Sequence, residues 1–282
     1  MQIMSLITAL PGAAAQGLIW GIMAIGVYIT FRILDIADLT VDGTLCTGGA
    51  VCIMMMLSGH NVWVSMLVAT GAGLLAGLAT GIFHTFMGIP AILAGILTQL
   101  SLYSINLKIM GKANQAINVD KFNLLVSLRR VKGVALTQNT LFIVAIMIII
   151  LIAVLYWFFG TELGCSLRAT GCNPSMSRAQ GINTDRNKVL GLMLSNGLVA
   201  LSGALLTQYQ GFADINMGRG SIVIGLAAVI IGEAIFSRIF RNFALKLLSV
   251  VFGSILYYLV LQIVIWMGID TDLLKMLSAL VV

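Results

Sequence analysis

Charged residues are scarce in this chain: Asp, Glu, Lys and Arg together make up only 9% of its 282 residues. Soluble domains carry about a quarter charged residues. A 60% share of apolar residues accompanies that shortage. The composition therefore excludes an ordinary soluble domain. It predicts an all-α, polytopic membrane protein that forms a single domain over residues 1–282.

Motifs for catalysis and for nucleotide binding are also missing. The chain contains no G-x-S-x-G turn, no H-E-x-x-H pair and no G-x-x-x-x-G-K-[ST] phosphate loop. We therefore predict that it is not an enzyme. If ATP drives its function, a separate chain must bind the nucleotide.

Metal-ligating patterns are equally sparse. Neither His60 nor His84 has a His or a carboxylate three or four residues further on, where helix geometry would bring two ligands together. Cys165 and Cys172 are seven residues apart with no His nearby, which does not fit the usual zinc spacing. We predict no metal site and no cofactor in this chain.

The chain has a basic excess of 16 Lys and Arg over 10 Asp and Glu. Aromatic residues do not alternate with the basic ones, as they do in grooves that bind single-stranded nucleic acid. We interpret the excess as basic loops beside anionic membrane lipid and predict no nucleic-acid partner.

Hydropathy predicts eight membrane spans, and some of them look broken or re-entrant. A ninth apolar segment, Leu273 to Val282, is too short to cross a membrane. One hypothesis is that the natural chain continues through a ninth span, and the alternative is an interfacial helix. The eight predicted spans are 13–31, 40–58, 62–83, 89–110, 139–160, 188–209, 219–236 and 245–268.

Two segments combine polar residues and glycine at membrane depth, namely 33–50 and 211–233. Irregular backbone is tolerated there only where it faces protein or water. Paired interruptions in two halves of a chain point to a transport site between them. We predict a path for a small zwitterionic or amphipathic solute, lined by Asp38, Thr40, Asp42, Thr44, Leu45, Thr47, Met217 and Ile222.

Three carboxylates, Asp35, Asp38 and Asp42, are spaced so that one helix would carry them on one face. Such a face would suit a proton or cation path. The alternative is that Asp35 lies at the membrane edge while Asp38 and Asp42 cap helix ends. Glu233 has two readings as well, as a gating or docking carboxylate or as an interfacial residue near Arg238 and Arg241.

Small residues recur every fourth position at Ala69, Gly73, Gly77 and Gly81. This stripe allows close approach of another helix, either in a second subunit or within the chain.

The segment 161–187 is the most polar part of the chain. Its basic residues would satisfy the positive-inside rule in the cytoplasm, but loop 111–138 is also basic, so the charge count alone does not fix the side. The resemblance described below places 161–187 in the cytoplasm. Asn173, Pro174 and Ser175 form a helix-start signature. Met176, Ala179 and Ile182 follow at a spacing of three and predict a small apolar stripe, and Arg178 and Arg186 can pair with carboxylates of a partner.

Three segments carry a resemblance to a known family. Leu167–Leu205 resembles the cytoplasmic loop and the next span of ATP-binding-cassette (ABC) importer permeases in the branched-chain amino-acid and ribose permease superfamily. Ala37–Gly43, ADLTVDG, is similar to the IDLSVG motif of the sugar permeases, and residues 218–233, GRGSIVIGLAAVIIGE, resemble another of their stretches. Asp42 and Glu233 depart from that pattern. The nearest branch is paired with lipoprotein-type binding proteins and includes tryptophan and tyrosine transporters.

The resemblance implies a permease subunit in the bacterial inner membrane that imports a small, amino-acid-like and possibly aromatic solute. It implies two copies of the chain, two cytoplasmic ATPase subunits that hold ATP and magnesium, and an external binding protein. In the family, a short helix in the loop that corresponds to 161–187 inserts into a cleft of the ATPase. The alternative is a self-sufficient channel or ion-coupled carrier that uses the Asp35, Asp38 and Asp42 face.

The resemblance places the loop 111–138 outside the cell, although it is basic and so conflicts with the positive-inside rule. One hypothesis is that its cations meet an acidic surface of the binding protein. The alternative is that the loop is long enough to be translocated despite its charge. The residues concerned are Lys121, Arg129, Arg130 and Lys132.

Overall fold

The chain folds almost wholly into helices in the computed structural model, which describes residues 2–117, 122, 124–131, 139–240, 242–267 and 276. A π-helical turn, Ile29–Ile33, follows α1, and a 3-10 turn spans Leu128–Val131. Two short strands, β1 (Asn114–Ala116) and β2 (Phe212–Asp214), form an antiparallel pair that the sequence did not predict. The helices are α1 (Gln2–Tyr28), α2 (Thr40–Leu57), α3 (Val62–Thr85), α4 (Ala91–Met110), α5 (Thr140–Gly160), α6 (Glu162–Cys172), α7 (Pro174–Ala179), α8 (Thr184–Gln210), α9 (Ser221–Phe236) and α10 (Phe243–Trp266).

Seven helices of the described chain are long and apolar enough to cross a membrane, which confirms the polytopic all-α class. They correspond to seven of the eight predicted spans. The remaining predicted span, 219–236, is wrong as a full crossing. Helix α9 has only 16 residues, and a complete crossing needs about 20. The predicted C-terminal segment 273–282 lies outside the described residues except for Met276.

Local capping explains where several helices begin and end. Asn61, Asn139 and Asn183 each accept a hydrogen bond from a backbone N–H in the first turn of α3, α5 and α8. At the other end, α4 and α8 stop at Gly111 and Gly211, whose φ values of 69° and 81° lie in the left-handed region that favours glycine.

The long helices α1 and α8 run antiparallel through the centre of the bundle. Side chains of α8 donate to backbone carbonyls of α1 in reversed order along the chain. The pairs are Ser195 with Gly26, Ser202 with Ile19, and Tyr209 with Gly12. Each central helix is followed by an irregular segment, then by a helix that starts inside the bundle, and then by a helix packed on the opposite central helix. Residues 1–85 and 184–266 therefore have the arrangement of an inverted repeat.

The small-residue stripe of α3 lies against α8 of the same chain. A side chain at Gly73 would collide with Asn196 and Ala200, and one at Gly77 would collide with the backbone of Leu192. The stripe thus packs two helices within one subunit, and the reading as a subunit interface is wrong.

The strand pair and the helices α6 and α7 lie at different ends of the bundle. Pairing of β1 with β2 brings the segment after α4 to the same end as the segment after α8. Helix α5, with 21 residues, separates that end from α6 and α7 by about 32 Å at 1.5 Å per residue. Residues 111–117 and 161–187 therefore lie at opposite ends of the bundle.

Candidate functional sites

Residues 34–39, between the π-helical turn and α2, are not helical, so the predicted single face of three carboxylates does not exist. Asp35 is exposed and has a φ of 54°. Asp38 precedes α2 and accepts a hydrogen bond from Thr40 N at 2.9 Å, and only Asp42 lies within the helix. The capping alternative is therefore correct for Asp38.

Asp42, in the first turn of α2, caps a different helix. Its carboxylate accepts hydrogen bonds from the backbone N–H groups of Gly220 and Ile222 and from the hydroxyl of Ser221, at 2.9 to 3.0 Å. These groups belong to the start of α9. A negative charge at this position also complements the positive end of the α9 dipole. The starts of the two interrupted helices thus meet inside the bundle through one side chain.

Most residues of the predicted path form a closed polar core instead of lining an opening. Asn196 donates to Asp38 at 2.7 Å and accepts from the Thr44 hydroxyl at 2.7 Å. Thr40 and Thr80 share a hydroxyl hydrogen bond of 2.7 Å, and Thr80 donates to Thr98.

Leu45 and Thr47 are buried beside this polar core, and Met217 lies against Gly49 and Thr207. The polar groups of these residues, and of Asp38, Thr40 and Thr44, are bonded or covered in this conformation. Their assignment to the path wall stays a prediction. Ile222 is half-buried and contributes its N–H to the Asp42 cap.

An open cavity of about 310 Å³ lies next to this core, between α2, α4 and the segment 215–220. Sequence reasoning included only Asp42 of its polar lining and missed the rest. The sequence signal that could have indicated α4 as part of the cavity wall was the presence of polar and aromatic residues in an otherwise apolar helix. The lining includes Asp42, Cys46, Gln99, Tyr103, Asn106 and Arg219.

Helix α7 begins as predicted. Asn173 accepts from Met176 N at 3.0 Å, and Pro174 occupies the first helical position. Met176 is 62% exposed, and Ser175 and Ala179 are exposed with it. The predicted stripe ends there, because Gly181, with φ of 81°, turns the chain and leaves the half-buried Ile182 outside the helix.

Arg178 and Arg186 differ from each other in their environment. Arg178 donates to the Thr184 hydroxyl at 2.7 Å and to Asp185 at 3.1 Å, and its pairing with a partner's carboxylate stays a prediction. Arg186 is exposed and remains a candidate for such a pair.

Helix α6 connects α7 to three other elements. Asn187 of α8 donates to Thr170 and Ser166, and Arg168 donates to Phe159 O at the end of α5 at 2.7 Å. Gly171 lies so close to the backbone of Ile33 that no side chain would fit between them. A force on α7 therefore reaches α5, α8 and the π-helical turn through short contacts.

Of the four basic residues proposed to meet the binding protein, Arg130 has a described side chain, which donates to Leu124 O at 2.8 Å. Lys121, Lys132 and the side chain of Arg129 lie outside the described residues. At the opposite end of the bundle, Glu233 pairs with Arg32 at 3.0 Å. Arg241, one of the two arginines that the sequence suggested, lies outside the described residues. Among the described residues, no group of three or more His, Cys, Asp or Glu side chains could hold a metal ion.

Seven spanning helices of the described chain and the shorter α9, whose start meets the first turn of α2 inside the bundle, define a multi-pass membrane protein of the transporter class. Residues 10–282 match the family described as branched-chain amino acid transport system / permease component. The chain belongs to this family, as the resemblance predicted.

Several relatives support that assignment. The chain is 38% identical, over 95% of its length and 86% of the relative, to a protein named tyrosine transport system permease protein from Clostridioides difficile (strain R20291). It is 38% identical to an uncharacterized protein of Rickettsia prowazekii (strain Madrid E), over 98% of this chain and 94% of that one. A fructose import permease protein of Bifidobacterium longum (strain NCC 2705) is 25% identical, over 87% of this chain and 67% of that one.

Among solved structures, PsaBC from Streptococcus pneumoniae in complex with Fab is a weak match, with a TM-score of 0.45 and 19% identity. The match covers 92% of this chain and 95% of that one.

Proposed function

We propose that the chain is the permease subunit of an ATP-driven importer in a bacterial plasma membrane and that it moves an amino acid with an aromatic or apolar side chain. Two copies would form the membrane part. ATPase subunits would dock on α7, and an external binding protein would deliver the solute at the end that carries β1 and β2. The names of the family and of the Clostridioides difficile relative support an amino-acid substrate.

The exposed helix α7 is the observation that carries this proposal. Met176 and Ala179 are exposed on this six-residue helix, and such a short helix is expected to need a partner. Helix α6 fixes it to three elements of the bundle. An ATPase that closes on α7 would push α6 against α8 and against the π-helical turn. Asn196 of α8 holds Asp38, and the π-helical turn leads into the segment that contains Asp38. The push would therefore arrive where α2 and α9 begin.

The proposed second copy is supported by the surface near the cavity. Arg219 and Gln99 border an opening at membrane depth, and charged or amide groups in spans avoid lipid because their exposure there is costly. A second permease subunit would enclose this face around a water-filled path.

The alternative of an ion-coupled carrier loses its basis. Asp35 is outside a helix, and Asp38 and Asp42 accept the hydrogen bonds that helix starts require. No other observation favours that alternative.

Substitution of Ala179 with Asp tests the docking role. A new charge in an apolar contact should reduce co-purification of the ATPase at least tenfold, since burial of an unpaired charge is strongly unfavourable. Ala113→Asp provides a matched control for the co-purification measurement alone, because Ala113 is also exposed but lies at the opposite end of the bundle, beside the proposed docking site of the binding protein. The measurement is the amount of ATPase recovered with the tagged permease, together with the ATP hydrolysis stimulated by the binding protein. Normal recovery and normal stimulation for Ala179→Asp would refute the docking role of α7.

A further inference from the structure

We propose that the cavity between α2, α4 and the segment 215–220 is a binding site for the transported amino acid in its zwitterionic form. This inference rests on the proposed function and names the groups that recognise the solute. Arg219 would bind the carboxylate, the Asn106 side-chain oxygen would accept from the ammonium group, and Tyr103 would contact the side chain.

The cavity lies at membrane depth. Asp42 is 15 residues before the end of α2 at Leu57, which corresponds to about 22 Å along the helix. The hydrocarbon core of a bilayer is about 30 Å thick. The cavity itself adjoins β2, because Ile215 lines it and Cys46 in its wall contacts Asp214 O at 3.5 Å. A solute in this cavity has therefore entered the bundle just below β1 and β2.

Asn106 supplies an unused acceptor. Its side chain is 1% exposed, and its amide nitrogen is 3.4 Å from Gly43 O. Its side-chain oxygen is buried and has no hydrogen-bond partner among the described residues. Buried polar atoms nearly always have a partner, and Asn106 is one of the residues that line the cavity. An ammonium group in the cavity is the donor that we assign to this oxygen.

Arg219 supplies a cation without a carboxylate partner among the described residues. Its guanidinium carbon lies 5.9 Å from the centre of the Tyr103 ring, and this is its contact on the cavity side. A planar guanidinium binds a carboxylate through two parallel hydrogen bonds. The contact with Tyr103 uses the face of the ring, and the N–H groups of Arg219 make no hydrogen bond to a carboxylate among the described residues.

Asp42 adds negative charge near the ammonium side of the site. Three donors of α9 already bind its two oxygens, and a carboxylate has about four acceptor positions. One position remains for a solute donor. The site thus has a cation and an anion on different elements, which favours a zwitterion over a purely cationic or anionic solute.

The volume is consistent with one amino acid. Small-molecule pockets span about 300 to 1,000 Å³, and this cavity, at about 310 Å³, lies at the lower limit. Tyr103 provides an aromatic wall for an aromatic or apolar side chain.

Direct binding to the permease with its ATPase in nanodiscs, without the binding protein, tests the site. The probes are L-tyrosine and tyramine, which share the ring and the amine but differ in the carboxylate. We expect the wild type to bind L-tyrosine at least tenfold more tightly than tyramine. Arg219→Ala should abolish that difference by weakening L-tyrosine alone, and Arg219→Lys should restore part of it. Lys108→Ala is the matched control, because Lys108 is an exposed cation on α4 that does not line the cavity.

Asn106→Leu provides a second variant, which should weaken both probes because both carry the ammonium group. Its melting temperature shows whether it has folded. Equal affinity of the wild type for the two probes, no binding of L-tyrosine, or unchanged discrimination in Arg219→Ala would each overturn the site. ATP-dependent uptake by the wild type in proteoliposomes is measured separately. Its absence would count against the proposed function even if the nanodisc result identified the site.

Discussion

The segments that precede α2 and α9 solve the same physical problem in different ways. Both must satisfy the free N–H groups of a helix that begins inside the bundle, where water is scarce. The first uses Asp38, which caps its own helix and is 2% exposed. The second has no capping side chain of its own, because Gly220 occupies that position, and depends on Asp42 from α2.

This difference has a functional consequence. Asp38 and Asn196 hold the start of α2 in a closed network, whereas Asp42 in its first turn and Arg219 just before α9 border the open cavity. The start of α2 is therefore the more firmly held of the two. The start of α9 is held by one carboxylate, that of Asp42, which also borders the cavity. Movement between the two helices would therefore change the shape of the cavity through the contacts of Asp42.

The largest effect on stability is expected for Asp38→Ala. The substitution removes two hydrogen bonds to a buried carboxylate, from Thr40 N and from Asn196. At about 1.5 kcal/mol for each bond to a charged group, the loss is about 3 kcal/mol. The apparent melting temperature of the purified protein measures it. A melting temperature equal to that of the wild type would show that the closed network does not stabilise the bundle.

A smaller loss, of about 2 kcal/mol, is expected for Asp42→Ala. Three donors lose their acceptor, but the residue is only half-buried and water from the cavity can replace part of the lost bonding. Hydrogen exchange at Gly220 and Ile222 should increase while exchange in α2 stays slow. Asp42→Asn keeps an acceptor oxygen and serves as the control with an intermediate effect. Faster exchange in both helices would mean that the two starts are not independently held.

The smallest effect is expected for Asp35→Gly. Asp35 is exposed and has a φ of 54°, a conformation that glycine adopts without strain. The melting temperature should stay the same or rise slightly, by the equivalent of at most about 1 kcal/mol. Asp35→Ala is the paired control, since alanine lacks glycine's freedom at positive φ. A marked loss of stability in Asp35→Gly would show that the Asp35 carboxylate makes a stabilising hydrogen bond.

Local chemistry in the sequence was sufficient for much of the fold. Seven apolar runs of spanning length correspond to seven long helices, since a membrane leaves the backbone few other ways to satisfy its hydrogen bonds. Asn173 and Pro174 mark the start of α7, because capping involves residues only a few positions apart. Gly181 likewise carried the signal that Ile182 lies beyond that helix.

The hydrogen-bond partners of the polar groups depend on how the helices pack in the tertiary structure. Asp42 binds residues 178 to 180 positions away, and Asn196 meets Asp38 across 158 positions. Helical spacing would place Asp35, Asp38 and Asp42 on one face, yet a break before Thr40 separates them. The cavity at Arg219 and Asn106 joins two segments that no local pattern connects. The sequence determined which segments enter the membrane because burial in lipid depends on composition, and packing decided the sites because hydrogen-bond partners are chosen by proximity in space.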